Sequence, residues 1–377
     1  MKATRSLVIP LLLVLGACTE RGALDPSGGG TPQSPSYLTS EAGSSTRFVY
    51  VANDGCCTGA GSVSGYVIQA DGSLAPLAGS PFSSPGMYGC VSEAAHPNGQ
   101  YLYVMCDISV DITAFSIGSD GTLTPFQRTP LSQPGGLVIH PAGSFLYSIR
   151  DGAISAFGVL LDGSLVALPG SPFPVTTLNM ARGAAIEPSG KYLYVANYGS
   201  NSVAAFAIQS DGSLVELGTF PAGSFPWTVT IHPNGSYAYV VNIGAGVGSI
   251  SEYRIDLTTG ALSSIGSVRT DQQPRDLAVE PSGHFAYVAN RNSNTITEYD
   301  IGSTSGVLTR LKTSVKTSSG PWALTVEPTG QFLYAANLDS NEASMFAINV
   351  TSGALTLGPR VATGRGPHDI VAVARAP

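Results

Sequence analysis

Charge is scarce in this chain: only 11% of its 377 residues are Asp, Glu, Lys or Arg. The 18 basic residues are scattered and outnumbered by 25 acidic ones, for a net charge of -7. A nucleic-acid surface needs clustered Lys and Arg to neutralise phosphates, so that class of partner is excluded. Past residue 18 no apolar run is long enough to span a bilayer. Tryptophan occurs twice, and cysteine and histidine five times each. What is abundant is Gly, 45 residues, and Pro, 26. That composition leaves little room for long helices and suits many short strands joined by tight turns.

The first eighteen residues have the layout of an export signal. Lys2 and Arg5 form a charged start, Leu7 to Leu15 an apolar core, and Gly16-Ala17 a small-residue stretch before Cys18. Leu15-Gly16-Ala17-Cys18 resembles a bacterial lipobox, which implies cleavage before Cys18 and lipidation of its thiol. Several acyl chains give stable anchoring where one would not. No sorting Asp follows Cys18, so the expected location is the cell envelope, at the outer membrane. Residues 19–45, with Gly28-Gly29-Gly30, Pro32 and Pro35, lack hydrophobic periodicity. They are expected to form a disordered tether spanning roughly 30 Å. Residues 46–377 remain for the folded part.

A pattern of Pro, any residue, Gly, and then Tyr six positions after the Pro recurs six times. Its instances are Pro97/Gly99/Tyr103, Pro141/Gly143/Tyr147, Pro188/Gly190/Tyr194, Pro233/Gly235/Tyr239, Pro281/Gly283/Tyr287 and Pro328/Gly330/Tyr334. Each reads as a strand, a tight turn and a second strand rich in aromatic and β-branched residues. A second mark, Gly two residues before Leu, recurs seven times, at Gly72, Gly121, Gly163, Gly212, Gly260, Gly306 and Gly353. In four of these an Asp precedes the Gly, a strong hairpin signal. Two hairpins give four strands per unit, and the period of roughly 42 to 49 residues is that of a propeller blade.

Six first hairpins against seven second hairpins leave one inner strand missing, and the chain's other end supplies it. Pro367-His368-Asp369-Ile370 copies Pro274-Arg275-Asp276-Leu277. The expected fold is therefore all-β: a seven-bladed β-propeller of four-stranded antiparallel blades, with blade 1 closed by the C-terminal strand. Closure removes the exposed end blades of an open array.

With these repeats, residues 47–374 resemble the lactonase family, which includes propeller-type 6-phosphogluconolactonases and carboxymuconate cyclases. Pro188 to Asn197 and its copy at Pro281 to Asn290 also resemble the YVTN-type repeat of exported propellers. The resemblance implies a lactonase-like propeller and, if the chain is an enzyme, action on lactones. Phosphogluconolactonase-like members carry Arg-His after an inner-strand Pro and Glu after the next strand's Asn. Here the best-matching blade has Pro226-Trp227-Thr228 and Asn242-Ile243.

In an up-and-down blade, the segments entering inner strands and leaving second strands lie at one end of the ring. The residue after the inner-strand Pro, or its equivalent, is Val91, Gly135, Arg182, Trp227, Arg275, Trp322 and His368 in blades 2 to 7 and then 1. Arg can grip a carboxylate or phosphate, Trp offers a flat face and His titrates near neutrality. Arg182, Trp227, Arg275, Asp276 and Trp322 are the expected ligand-binding residues, for a small polar or anionic ligand or a protein at the funnel. If the chain is an enzyme, it is a lactone hydrolase in which Arg182 and Arg275 hold the anion while His368 with Asp369 activates water. The competing reading has Asp and Asn bonding local backbone and Arg and Trp packing between blades.

His96, His140 and His232 occupy the slot before the turn Pro, where other blades have Glu187, Glu280 and Glu327. One such residue per blade points to a structural role rather than a metal site, and no metal or cofactor is expected. Disulfides are the default for the remaining cysteines of an exported chain, Cys56, Cys57, Cys90 and Cys106. Counting from the Pro97 turn sets Cys90 opposite Cys106. The choice between that bridge with a 56 to 57 pair and two inter-blade bridges stays open. A monomer is expected.

Overall fold

The computed structural model describes residues 46–55, 60–312 and 314–375. Cys18, the expected signal and tether, and Cys56 and Cys57 lie outside the described residues. Seven antiparallel sheets follow one another around a ring. Blade 1 pairs Pro367–Arg375 with Thr46–Asn53, followed by Ser62–Ile68 and Leu74–Pro76. The inner strands of blades 2 to 7 are Cys90–Ala95, Gly136–Ile139, Ala181–Ile186, Pro226–Ile231, Pro274–Val279 and Pro321–Val326. The closing pair is in register from Thr46 opposite Arg375 to Tyr50 opposite Val371. The fold is the expected one, with the outermost strand split in two in blades 3 and 6.

The two repeated sequence marks turn out to be bonding partners. Each repeat Tyr, with Tyr50 in blade 1, points into the cleft towards the next blade and donates its hydroxyl to the carbonyl of that blade's turn Gly. The pairs run Tyr50 to Gly121, Tyr103 to Gly163, Tyr147 to Gly212, Tyr194 to Gly260, Tyr239 to Gly306, Tyr287 to Gly353 and Tyr334 to Gly72, at 2.8 to 3.1 Å. The last pair spans blades 7 and 1, so the series has no end. These glycines are all left-handed, with φ between 68° and 84°. A Cβ on each would also collide with the aromatic ring two residues before the donating Tyr, as at Gly121 with Phe48 or Gly353 with Phe285. Burial of the phenols pushes their ionisation far above its ordinary range, so they remain donors at any physiological pH.

The slot before the turn Pro is structural as well. The Nδ1 atoms of His96, His140 and His232 accept turn N–H groups at 3.1 to 3.2 Å. Their Nε2 atoms therefore carry the proton, and lie 2.9 to 3.2 Å from the carbonyls of Gly143, Gly190 and Gly283 of the next blade. Burial pushes these imidazoles down, towards that neutral form. Glu187, Glu280 and Glu327 accept the same turn N–H groups in their blades.

Cys90 and Cys106 are disulfide-bonded, on facing positions of blade 2. They occupy the slots that hold Pro and Asn in blades 5, 6 and 7, as in Pro226 opposite Asn242, Pro274 opposite Asn290 and Pro321 opposite Asn337. In those blades, and in blade 1, the Asn amide donates to a hydroxyl on the third strand: Ser64, Ser251, Thr297 or Ser344, at 2.8 to 3.1 Å. Thr113 is the counterpart in blade 2, and its buried hydroxyl has no hydrogen-bond partner among the described residues. Converting the slot to the pattern of its neighbours, Cys90→Pro with Cys106→Asn, is expected to recruit Thr113. Urea unfolding should find this pair more stable than Cys90→Ser with Cys106→Ser by about 1–2 kcal/mol. Equal stabilities would mean that the orphaned hydroxyl is not the deficit.

Candidate functional site

Every inner strand except the shorter one of blade 3 begins in the same way, and this start builds the site. A residue in the left-handed region comes first: Gly366, Gly89, Met180, Phe225, Gln273 or Gly320 in blades 1, 2, 4, 5, 6 and 7. The Pro slot pairs with the end of the second strand, and the next residue is bulged out of the ladder. A bulge re-aims its side chain away from the sheet face. In blades 5, 6, 7 and 1 the bulged residues are Trp227, Arg275, Trp322 and His368, and Arg182 holds the corresponding place in blade 4.

These five side chains come together as an interleaved belt. The Arg275 guanidinium lies 4.3 Å from the ring centroids of both Trp227 and Trp322, whose planes stand at 88° to each other. Arg182 lies 5.1 Å from the Trp227 centroid and 5.4 Å from that of Tyr198. His368 packs on Trp322 at 4.6 Å. Cation–π contact between desolvated partners contributes about 2 kcal/mol each, so the belt is held in place before any ligand arrives.

Second-strand exits add residues that inner-strand alignment misses. The residue after the last strand position is Asp54, Asp107 and Asp151 in blades 1 to 3, and Tyr198, Ile243, Arg291 and Leu338 in blades 4 to 7. Arg291 sits over Trp322 at 5.2 Å and pairs with Asp339 at 3.1 Å. The mouth is therefore divided into an acidic arc and a cationic, aromatic one. Arg275 has no carboxylate partner within ion-pair distance among the described residues, is only 8% exposed, and touches Gln273 Oε1 at 3.4 Å. Burial, reinforced by Arg291, pushes its guanidinium down to about 9. A cation destabilised in this way gains from an anion brought to it.

Asp276 and Asp369 are directed elsewhere. Asp276 accepts the N–H of Leu277 at 2.6 Å and, across the blade boundary, that of Leu324 at 2.7 Å. Asp369 does the same with Ile370 at 2.9 Å and Glu93 at 3.0 Å, and Ser92 fills this slot in blade 2 by accepting from Leu137 at 3.1 Å. Both aspartates join adjacent inner strands through the backbone. Burial pushes Asp276 up to about 8. The strand-end Asn amides are likewise spent on local carbonyls and hydroxyls, and Arg150 bonds the Pro134 carbonyl.

A family model described as "Lactonase, 7-bladed beta-propeller" matches residues 93–267, 228–324 and 276–371, which together run from 93 to 371. The chain belongs to the lactonase family. Among solved structures, this lactonase-family propeller is similar to a Pseudomonas aeruginosa periplasmic gluconolactonase, at 19% identity and TM-score 0.74, over 88% of this chain and 100% of that one. It is similar to a putative 6-phosphogluconolactonase from Bacteroides fragilis, at 20% identity and TM-score 0.74, over 89% of this chain and 99% of the other. A Lactobacillus plantarum protein aligns at 19% identity and TM-score 0.75, over 87% and 99%. No curated protein matches.

Sequence reasoning also missed Glu93. Its carboxyl is buried between blades 1 and 2, in the position held by Leu137, Ala184, Val229, Leu277, Leu324 and Ile370 in the other blades. Burial and then Asp369 push Glu93 well up, and burial does the same to Asp369. For an acid raised on folding, stability is full below the unfolded pKa and is lost as pH rises through the folded one. Glu93→Leu is therefore expected to stabilise the protein by about 1–3 kcal/mol at pH 8 and by less at pH 5. Thermal unfolding at both pH values checks this; a gain that does not grow with pH refutes it.

Proposed function

We propose that the funnel of this lactonase-family propeller binds a small anion, carboxylate or phosphate, with the Arg275 and Arg182 guanidinium edges as its anchor. One observation carries the reading: Arg275 is buried, packed against two mutually perpendicular indoles, and has no carboxylate partner among the described residues. A guanidinium donates two parallel N–H bonds along one edge, the geometry that suits the two oxygens of a carboxylate. Both tryptophans of the chain lie in the belt, so intrinsic tryptophan fluorescence reports on this site alone. Titration with acetate, gluconate and inorganic phosphate is expected to change that emission in the wild type. Arg275→Met should weaken each anion by about tenfold or more, the worth of a charge-assisted bond. An unchanged response in the variant removes Arg275 as the anchor.

Hydrolysis of lactones is a second reading, supported by family membership and by His368 packed on Trp322, the indole that also meets Arg275. His368 would take the proton of a water attacking the lactone carbonyl, while a guanidinium edge meets the oxygen that becomes negative. Asp369 would support His368 only through the backbone, since its carboxylate bonds the Glu93 and Ile370 N–H groups. His368→Ala is expected to lower kcat on sugar or aliphatic lactones by about 100-fold and to leave gluconate binding intact. Equal turnover in variant and wild type would remove His368 as the base, and no turnover in the wild type would leave a binding protein.

Tethering to the cell envelope through lipidated Cys18 completes the proposal, on the strength of Leu15-Gly16-Ala17-Cys18. Metabolic labelling with palmitate is expected to mark the wild type and not Cys18→Ala. Label on both would place the modification elsewhere.

A further inference from the structure

We infer that Phe225 and Tyr198 form a stacking subsite beside the arginines, so that the ligand is a carboxylate carrying a flat ring. This rests on the anion-binding reading of the belt and extends it. At the left-handed position before the inner strand, blades 1, 2 and 7 have Gly366, Gly89 and Gly320. Blades 4, 5 and 6 instead have Met180, Phe225 and Gln273, with φ of 49°, 60° and 51°. A side chain with a Cβ is disfavoured in that conformation, and the three stand in consecutive blades, whose inner strands carry Arg182, Trp227 and Arg275.

The side chains spend that strain on the mouth rather than on the core. Phe225 is 36% exposed and meets Tyr198 at 5.0 Å between centroids, tilted by 30°. Tyr198 in turn contacts Trp227 at 6.1 Å and the Arg182 guanidinium at 5.4 Å. Aromatic surface therefore runs from the rim to the anchor, turning at Tyr198, where the Trp227 ring stands at 78°. Gln273 Oε1 faces the Arg275 edge at 3.4 Å, where it orients the guanidinium. Asn201 Oδ1 accepts the Phe225 N–H at 2.8 Å, which fixes the backbone that presents the ring. A ligand with its carboxylate at the arginines can lay an attached ring on Phe225 and Tyr198, whereas a compact anion cannot reach them.

Benzoate and acetate present the same carboxylate with and without a ring, and gluconate adds a polyol without a flat face. Tryptophan fluorescence titration of the wild type is expected to show benzoate binding about three- to tenfold tighter than acetate or gluconate, the worth of one stacked ring. Phe225→Gly is expected to erase that preference, leave acetate affinity unchanged, and leave the melting temperature unchanged or raised, because the left-handed strain is relieved. Phe225→Asn, which tolerates the same backbone as Asn201, Asn294 and Asn341 do, should behave alike if the glycine variant folds poorly. A lowered melting temperature with the benzoate preference retained would make Phe225 a packing residue and overturn the inference. Absence of any preference in the wild type, with acetate still dependent on Arg275, would overturn it while sparing the anchor. No response to any of the three would overturn both.

Discussion

Seven phenolic hydroxyls bonded to seven glycine carbonyls hold this ring, and the site depends on them. Each bond joins the second strand of one blade to the outer hairpin of the next, buried from water, where a missing partner would cost about 1–3 kcal/mol. Because the glycine must be left-handed and must accept an aromatic ring against its Cα, neither end of the bond tolerates drift. The inner strands are consequently set at fixed angles, and Asp276, Asp369 and Ser92 bond them to one another near the axis. The bulged residues can then meet across blade boundaries at 4 to 6 Å without further support.

That constraint also explains why so much of the fold is readable in the chain. A Tyr and a Gly that bond each other in every blade leave two periodic marks, and the unequal count of hairpins exposes the strand exchanged at the closure. The belt was legible for the same reason: one residue per blade after the Pro slot, aligned by repeat, yields Arg182, Trp227, Arg275, Trp322 and His368, and the structure gathers all five. Tyr198 and Arg291 were missed because they enter from second-strand exits, which carry no periodic mark.

Other features have no signature at single residues. Asp276 and Asp369 look like acid–base groups by position, and only coordinates reveal that their oxygens face backbone N–H groups of the adjoining blade. Glu93 reads as an ordinary strand residue until it is superposed on the six apolar residues that share its place. Backbone handedness at Met180, Phe225 and Gln273 is likewise invisible in a string of letters, since those residue types usually lie elsewhere in φ. The Cys90–Cys106 pair was legible as facing residues, yet its equivalence to a Pro and Asn pair emerged only from the ladder register.

Thr46 and Arg375 face each other at one end of the closing strands, while Asn53 and Pro367 meet at the opposite end, beside the belt. Both termini of the described chain thus emerge on the underside of the disc. The described termini and the aromatic, cationic funnel therefore occupy opposite faces of the disc.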